Sequence, residues 1–340
     1  MAKKIGIGIL GVGGIAQLVH IPLLRKHSEV ELVAVCDLDR KKAALVAQKN
    51  KIPLFHRDAE HFLRTEKMEA VLICTPTNSH MALTLAALSA GKHVFLEKPA
   101  ARSRSEAVRM AKAAAESKSL LMVAMNHRFR PDSMILRNFI EANELGKMTH
   151  VRAGWLKKKD KWTRPMWVMD PKISAGGVMM DLGIQMLDLC LWLLGNPKVE
   201  AVSATAARTL PGKKVEDTIF AFYRLQGGIG LAVDTSWSLM SDESLAYTRF
   251  HGTEGAAALN PLRITKQMHG ELVNVTPGKM LRPAELYKKS FEYEVDHFIQ
   301  CIQHKRKPIS TIEDSLEVMT LVEATYRSVA ENHEVTVTES

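Results

Sequence analysis

Between Ile5 and about Val123, short runs rich in β-branched residues alternate with longer segments of helical period. The apolar runs predict strands over Ile5–Leu10, Val30–Cys36, Ala70–Cys74, His93–Leu96 and Leu120–Ala124. The intervening segments predict helices over Gly14–His27, Asp39–Gln48, Ser79–Ala90 and Ser103–Ser117. This alternation is typical of βαβ units built on a parallel sheet.

Beyond Pro131 and one further helix, the pattern changes to longer strands of alternating polarity. Strands are predicted over Thr149–Leu156, Glu200–Arg208, Thr218–Leu225 and Ile229–Ser236, and a Gln-Gly-Gly turn at 226–228 joins the last two as a hairpin. Helices are predicted over Gly177–Leu194, Phe291–His304 and Ser315–Asn332. A chain of 340 residues exceeds what one hydrophobic core usually serves. We therefore expect two α/β domains, residues 1–126 on a parallel sheet and residues 127–340 on a large, mostly antiparallel open sheet.

Composition narrows the class of protein without naming a function. Apolar residues make up 46% of the chain and charged residues 24%, with 20 Gly and 13 Pro, which excludes a disordered or low-complexity chain. The net charge is +9, and its basic residues are dispersed along the chain apart from one cluster of lysines within residues 157–161. It slightly favours anionic ligands, but its commonest meaning is a solvated face.

The cysteines and the first apolar stretch bear on the compartment. Cys36, Cys74, Cys190 and Cys301 form no CxxC pair and fall in apolar segments, as expected for buried free thiols in the cytoplasm. The stretch Ile5–Leu24 has no charged residue, but its five glycines and a proline argue against a signal peptide or membrane span. The histidines are scattered without HExxH spacing, so we expect no metal site and no membrane association.

A glycine fingerprint opens the first predicted helix. In Gly11-Val12-Gly13-Gly14-Ile15-Ala16 the first glycine permits a tight turn, Gly13 lets the backbone approach a pyrophosphate, and the small Ala16 lets helix and strand pack closely. We expect Gly11, Gly13, Gly14 and Ile15 to bind a dinucleotide at the helix N-terminus.

Asp37 ends the next predicted strand, where a carboxylate accepts hydrogen bonds from the adenosine ribose hydroxyls and repels a 2′-phosphate. NAD is therefore expected over NADP. The basic residues Arg40, Lys41 and Lys42 lie close enough in sequence to keep NADP open, or else they form the exposed face of the next helix.

Two more strand ends carry polar residues where open α/β sheets bind ligands. One is the stretch from Thr75 to His80, and the other is Glu97-Lys98-Pro99. The proline holds Lys98 out of helical geometry, so its ammonium could reach the nicotinamide edge. A surface lysine is the competing interpretation, and His80 could equally be a helix cap or a packed side chain.

Taken together, these motifs resemble the Gfo/Idh/MocA oxidoreductases. The resemblance also rests on Asn126-His127-Arg128-Phe129, on Ser174-Ala175-Gly176-Gly177, on Asp181-Leu182-Gly183 and on Pro308-Ile309-Ser310. It implies a Rossmann domain, an α/β domain whose open sheet forms a homodimer or homotetramer, and a substrate bound between the domains. Hydride then passes between NAD(P) and a secondary hydroxyl or ketone of a sugar, cyclitol or sugar derivative.

The resemblance also implies roles for individual residues. Lys98 would orient the substrate hydroxyl and help remove its proton. The nicotinamide end would be lined by Thr75, Pro76, Asn78, His80 and Glu97. Asn126 and Arg128 would lie near the substrate pocket, and Asp181 would point at the reacting carbon.

One position departs from the family pattern. The usual DxGxHxxD places a histidine four residues after the first aspartate, whereas this chain has Gln185 there. An amide forms hydrogen bonds but carries no proton through pH 7. Proton transfer then falls to Lys98, to Asp181 or to another group, or is missing. Besides a dehydrogenase, the sequence leaves open a lyase or glycosidase that oxidises its sugar transiently, and a catalytically retired dinucleotide-binding sensor or scaffold.

A basic and aromatic loop precedes the glycine pair. Trp162 and Arg164 are expected to stack on or clamp a sugar, which could carry a phosphate or nucleotide. The same composition occurs on nucleic-acid surfaces, but the other motifs point to a dinucleotide, so no nucleic acid is expected.

Overall fold

The computed structural model describes residues 4–159, 166–279 and 281–337. The chain divides into two compact units. The first runs to Asn126 and also includes Phe291–Leu316, and the second consists of His127–Ser290 and the chain from Glu317 onward.

Within the described residues, the first unit contains one sheet of six parallel strands in the order β3-β2-β1-β4-β5-β6. Its elements are β1 (Ile5–Leu10), α1 (Ile21–Lys26), β2 (Val30–Cys36), α2 (Arg40–Asn50), β3 (Leu54–His56), α3 (Ala59–Leu63), β4 (Ala70–Ile73), α4 (His80–Ser89), β5 (His93–Leu96), α5 (Arg104–Glu116) and β6 (Leu121–Val123). The strand order reverses between β1 and β4, and ligands of such sheets bind beyond the strand ends at that switch point. All five predicted strands of this unit are present to within one residue at each end.

The remaining helices and strands are α6 (Pro131–Glu141), β7 (Met148–Lys158), α7 (Pro171–Ser174), α8 (Ile184–Leu193), β8 (Val199–Ala207), β9 (Thr218–Leu225), β10 (Ile229–Leu239), β11 (Leu245–Gly252), β12 (Gly255–Leu259), β13 (Arg263–Met268), β14 (Glu271–Asn274), α9 (Pro283–His304), α10 (Ile312–Glu331) and β15 (Val335–Thr336). As far as the chain is described, nine strands form the second sheet, in the order β14-β13-β12-β11-β7-β10-β9-β8-β15. All neighbours are antiparallel except β7 and β10, so the predicted fold class is confirmed.

Several elements lack a pattern that the sequence could reveal. The strand β12 reads Gly-Ala-Ala-Ala-Leu, which has no β-branched residue, and every residue of β14 is exposed. The strand β3 has three residues and α3 has five, which is too short for a periodic signal. Helix α9 begins at Pro283, eight residues before the predicted start.

The segment Phe291–Leu316 was assigned by sequence to residues 127–340, whereas it belongs to the first compact unit. The hydroxyl of Ser310 donates to the carbonyl of Val123 at 2.6 Å, and the Val123 amide donates to the Ser310 carbonyl at 3.2 Å. The ring of Phe298 also packs edge-on against Phe95, with centroids 5.3 Å apart. These contacts fasten the segment to β5 and β6, far away in sequence.

Three features bear on the sequence expectations. All four cysteines are buried and free, as expected. The described ranges contain one helical stretch, Pro171–Leu193, that is long and apolar enough to cross a membrane, and 94% of its apolar window is buried inside the protein. No group of three or more His, Cys, Asp or Glu side chains in those ranges could hold a metal ion.

Candidate active site

The glycine fingerprint forms an open turn between β1 and the first helix. Gly11 has a φ of +84°, and a Cβ there would lie 2.8 Å from the Cys74 backbone, so the turn requires glycine. A Cβ on Gly13 or Gly14 would meet nothing within 4 Å. Ile15 then leads into a π-helical turn, Ala16–His20, that continues as α1. Open space over backbone amides at a helix start fits a pyrophosphate.

Asp37 is fastened to this turn. Its Oδ2 accepts hydrogen bonds from the Val12 amide at 3.0 Å and from the Lys42 ammonium at 2.8 Å, and its Oδ1 accepts from the Asp39 amide at 3.1 Å. Burial alone would raise the pKa of Asp37, but these hydrogen bonds and the charge of Lys42 lower it below the ordinary value. The carboxylate is therefore ionised beside the turn, as ribose recognition requires.

The buried His80 joins the ends of β4 and β5. Its Nε2 lies 2.8 Å from the Thr75 carbonyl oxygen, and its Nδ1 lies 2.9 Å from the Pro99 carbonyl oxygen. Pro76 precedes the short 3₁₀ turn Thr77–Ser79, which contains Asn78. Burial lowers the pKa of His80, although the carbonyl oxygens and the charge of Glu97 oppose that effect. A neutral imidazole has one N–H and satisfies one of the two carbonyls at a time.

Glu97 forms a buried pair with His20, which the π turn carries. The His20 Nε2 lies 2.6 Å from Glu97 Oε1, and the Lys98 amide donates to Glu97 Oε2 at 3.2 Å. Burial would raise the pKa of Glu97, but the hydrogen bond from His20 and nearby positive charges lower it. The Glu97 carboxylate thus holds the backbone of Lys98 at the tip of β5.

In the second unit, Asp181 lies in another π-helical turn, Met179–Gly183, directly before α8. The indole Nε1 of Trp237 donates to Asp181 Oδ2 at 3.1 Å, and the Gln185 amide donates to the Asp181 carbonyl at 2.8 Å. Asp181 and Gln185 are therefore neighbours, as their spacing predicts. π-Helical turns inside helices are frequent at functional sites.

A buried carboxylate anchors this helix. The Glu216 side chain accepts hydrogen bonds from the amides of Gly177 and Met179 and from the Tyr326 hydroxyl. A Cβ on Gly177 would lie 1.9 Å from the Glu216 carbonyl oxygen, so the glycine permits this close approach. Burial raises the pKa of Glu216 despite these donors.

Asn126 and Arg128 both lie in the short turn Asn126–Phe129 after β6, and both are buried. The guanidinium of Arg128 forms a two-pronged ion pair with Asp188, with Nε–Oδ2 at 2.8 Å and Nη2–Oδ1 at 2.6 Å. The Arg128 side chain is 2% exposed. This pairing gives Arg128 a structural role that the sequence did not predict. Trp162 and Arg164 lie outside the described residues.

The family model described as "Oxidoreductase family, NAD-binding Rossmann fold" matches residues 5–125, and "Oxidoreductase family, C-terminal alpha/beta domain" matches residues 137–337. The chain belongs to the Gfo/Idh/MocA oxidoreductase family. It is accordingly an oxidoreductase with an NAD-binding Rossmann domain, as the sequence motifs indicated.

Similar members of the Gfo/Idh/MocA family match this chain over nearly its whole length. D-glucoside 3-dehydrogenase of Escherichia coli is 29% identical, with 96% of each chain covered. Inositol 2-dehydrogenase of Rhizobium meliloti is 27% identical, covering 97% of this chain and 98% of that one. Levoglucosan dehydrogenase, solved with NADH and L-sorbose, shares the fold with a TM-score of 0.89 at 20% identity, covering 99% of this chain and 100% of that one.

The residues that support the site of this chain were not predicted from its sequence. His20 carried a signal, because it is a buried polar residue within an otherwise apolar stretch. Glu216, Trp237 and Tyr326 carried none, because each acts on a residue far away in sequence.

The Arg128 ion pair predicts a large stability effect. Arg128→Met removes the guanidinium that forms the two-pronged ion pair with the buried Asp188 carboxylate, so we expect a loss of about 3–5 kcal/mol in the free energy of unfolding by urea. Adding Asp188→Leu should restore most of it. Arg224→Met, which breaks an exposed pair with Glu334, should cost under about 1 kcal/mol. An Arg128 variant no less stable than the Arg224 variant would contradict the structural role.

His80 predicts a dependence of stability on pH. Its folded-state pKa lies below the unfolded value, so the unfolded chain takes up the proton first as pH falls, and stability is lost below about pH 6.5. His80→Gln removes this titration. The variant should be less stable than wild type at pH 8, and the gap should narrow at pH 5.5 in urea unfolding. A gap that widens in acid would mean that His80 is an imidazolium donating to both carbonyls.

Proposed function

We propose that this oxidoreductase transfers a hydride between nicotinamide and a secondary hydroxyl or ketone of a sugar, cyclitol or sugar derivative. Likeness over 96% of the chain to a D-glucoside 3-dehydrogenase, and to an inositol 2-dehydrogenase, supports this substrate class. The structural observation that supports the nicotinamide cofactor in this proposal is the pairing of an open fingerprint turn with Asp37 at the end of β2.

The residues that would hold the cofactor are Gly11, Gly13, Gly14, Ile15 and Asp37 at the adenosine and pyrophosphate end, and Thr75, Pro76, Asn78, His80, Glu97 and Lys98 at the nicotinamide end. When bound, nicotinamide supplies the hydride acceptor or donor. Two hydrogen bonds hold the backbone at the tip of β5. One joins the His80 ring to the Pro99 carbonyl, and the other joins the Lys98 amide to the Glu97 carboxylate.

In this proposal, Lys98 and Asp181 transfer the proton of the substrate hydroxyl. An ammonium at a strand tip can orient a hydroxyl and exchange a proton with it, and a carboxylate can accept that proton. Gln185 contributes hydrogen bonds only. Asn126, Arg128, Trp162 and Arg164 remain proposed substrate contacts, although Arg128 is already paired with Asp188.

The assignment of Lys98 predicts a separation of turnover from cofactor binding. Lys98→Met should lower turnover by about two orders of magnitude or more, the scale for losing a positioned acid or base, while NADH affinity changes only a few-fold. Turnover is measured by nicotinamide absorbance on a substrate found in a screen of sugars, cyclitols and nucleotide sugars. The exposed Lys118→Met serves as the matched control and should leave both quantities unchanged.

Companion variants at Gln185 complete this test. Gln185→Ala should cost about 5- to 30-fold in rate, the effect of one lost hydrogen bond. Full turnover in Lys98→Met would remove Lys98 from the mechanism.

A second candidate is a retired dinucleotide sensor, which the amide at position 185 favours. No turnover in the screen despite confirmed NADH binding would establish it over the dehydrogenase. Activity on simple sugars gained by orders of magnitude in Gln185→His would point to a binding protein or to a specialist for another substrate.

We also propose that the protein forms a homodimer or homotetramer through the open face of the large sheet. Phe220 and Phe222 project from β9 on the face opposite the buried Ala221 and Tyr223, and they are 49% and 41% exposed. Large aromatic side chains in such positions commonly mark an interface. The four buried free thiols suit a reducing compartment such as the cytoplasm.

Charge on that face should lower the oligomeric mass. Phe220→Asp combined with Phe222→Asp is expected to reduce the mass measured by light scattering, because a carboxylate cannot be buried unpaired in an interface. Leu45→Asp, at an exposed leucine of α2, should leave the mass unchanged. An unchanged mass in the double variant would place the interface elsewhere.

A further inference from the structure

Three basic residues follow Asp37, and they have different surroundings. The Arg40 guanidinium lies over the Phe55 ring, 5.9 Å from its centroid. The Lys41 side chain is exposed. The ammonium of Lys42 returns to Asp37, 2.8 Å from Oδ2.

The local backbone explains why Lys42 reaches Asp37. Asp39 caps α2 by accepting hydrogen bonds from the amides of Lys41 and Lys42 at 3.0 and 3.1 Å. Asp37 in turn accepts the Asp39 amide, so the segment from the end of β2 to the first turn of α2 is fastened by its own side chains. This arrangement directs Lys42 back across the strand end.

The Asp37–Lys42 pair carries no net charge, and it lies at the end of β2, where the 2′ substituent of a bound ribose is expected. A lone carboxylate there repels the roughly two negative charges of a 2′-phosphate. With Lys42 in contact, the phosphate has a cation to pair with, and the Lys42 side chain is 38% exposed and so accessible to it.

We propose that Lys42 is a specificity-determining residue, which lets this protein accept NADP(H) as a second cofactor beside NAD(H). Asp37 favours NAD by accepting the ribose hydroxyls, and Lys42 limits that preference by offering its ammonium to the 2′-phosphate. The inference rests on dinucleotide binding at the fingerprint turn, but it concerns binding alone and needs no substrate.

The test measures dissociation constants of the full-length protein for NADH and NADPH, by calorimetry for NADH and by displacement of NADH for NADPH. Lys42→Met should weaken NADPH binding by about tenfold or more, while NADH binding changes less than about threefold. Lys41→Met is the matched control, since it removes the same charge one residue away, and should change neither constant by more than about twofold. Added salt should reduce the effect of Lys42→Met on NADPH.

If wild-type protein binds NADPH weakly, the effect of Lys42→Met is measured in the Asp37→Asn variant instead. Asp37→Asn leaves Lys42 without its carboxylate partner, so NADPH affinity should rise about tenfold or more, and adding Lys42→Met should reverse that gain. An equal effect of Lys42→Met on both cofactors, or no reversal in the Asp37→Asn background, would overturn the role of Lys42. Wild-type protein that binds neither cofactor would instead overturn the proposed function.

Discussion

The buried carboxylate of Glu216 holds the second unit's candidate site in place. It satisfies the backbone amides of Gly177 and Met179 at the start of the helix that carries Asp181, and it accepts the Tyr326 hydroxyl. Amides at a helix start have no partner within the helix, so a buried start without such an acceptor would be costly. Burial raises the pKa of Glu216, and the donors limit that rise. The position of Asp181 therefore depends in part on the hydrogen bonds of a residue 35 positions away in sequence.

In the first unit, carboxylates likewise accept hydrogen bonds from backbone amides at two strand ends. Asp37 accepts the Val12 amide of the fingerprint turn, and Glu97 accepts the Lys98 amide while pairing with His20. Both carboxyl groups have lowered pKa values, because hydrogen bonds and positive charges outweigh their burial. They therefore remain ionised at neutral pH and hold two loops by hydrogen bonds to backbone amides. Backbone positions at the strand ends follow from these bonds rather than from packing alone.

Elements with a periodic pattern were predicted from the sequence, whereas contacts between residues far apart in sequence were not. Five of the six parallel strands of the first unit and the helix that follows Asp181 were predicted from periodicity, and the fingerprint with Asp37 was predicted from spacing. The segment Phe291–Leu316 was assigned to the second domain rather than to the first compact unit, because its docking depends on contacts far away in sequence, such as the hydrogen bond between Ser310 and Val123. Arg128 was expected near substrate because its motif implies a site. No local signal revealed that Asp188 would take its guanidinium.

The replacement of the usual histidine by Gln185 is consistent with the contacts around it. Its amide donates to the carbonyl of Asp181, four residues earlier, and so stabilises the turn that carries this aspartate. The two acids of the motif have separate partners, since Trp237 binds Asp181 and Arg128 binds Asp188. Neither of these bonds involves the side chain at position 185, so both are made with an amide at that position. In the proposed mechanism, the hydroxyl proton therefore passes through Lys98, at the tip of β5, and Asp181 rather than through the side chain at position 185.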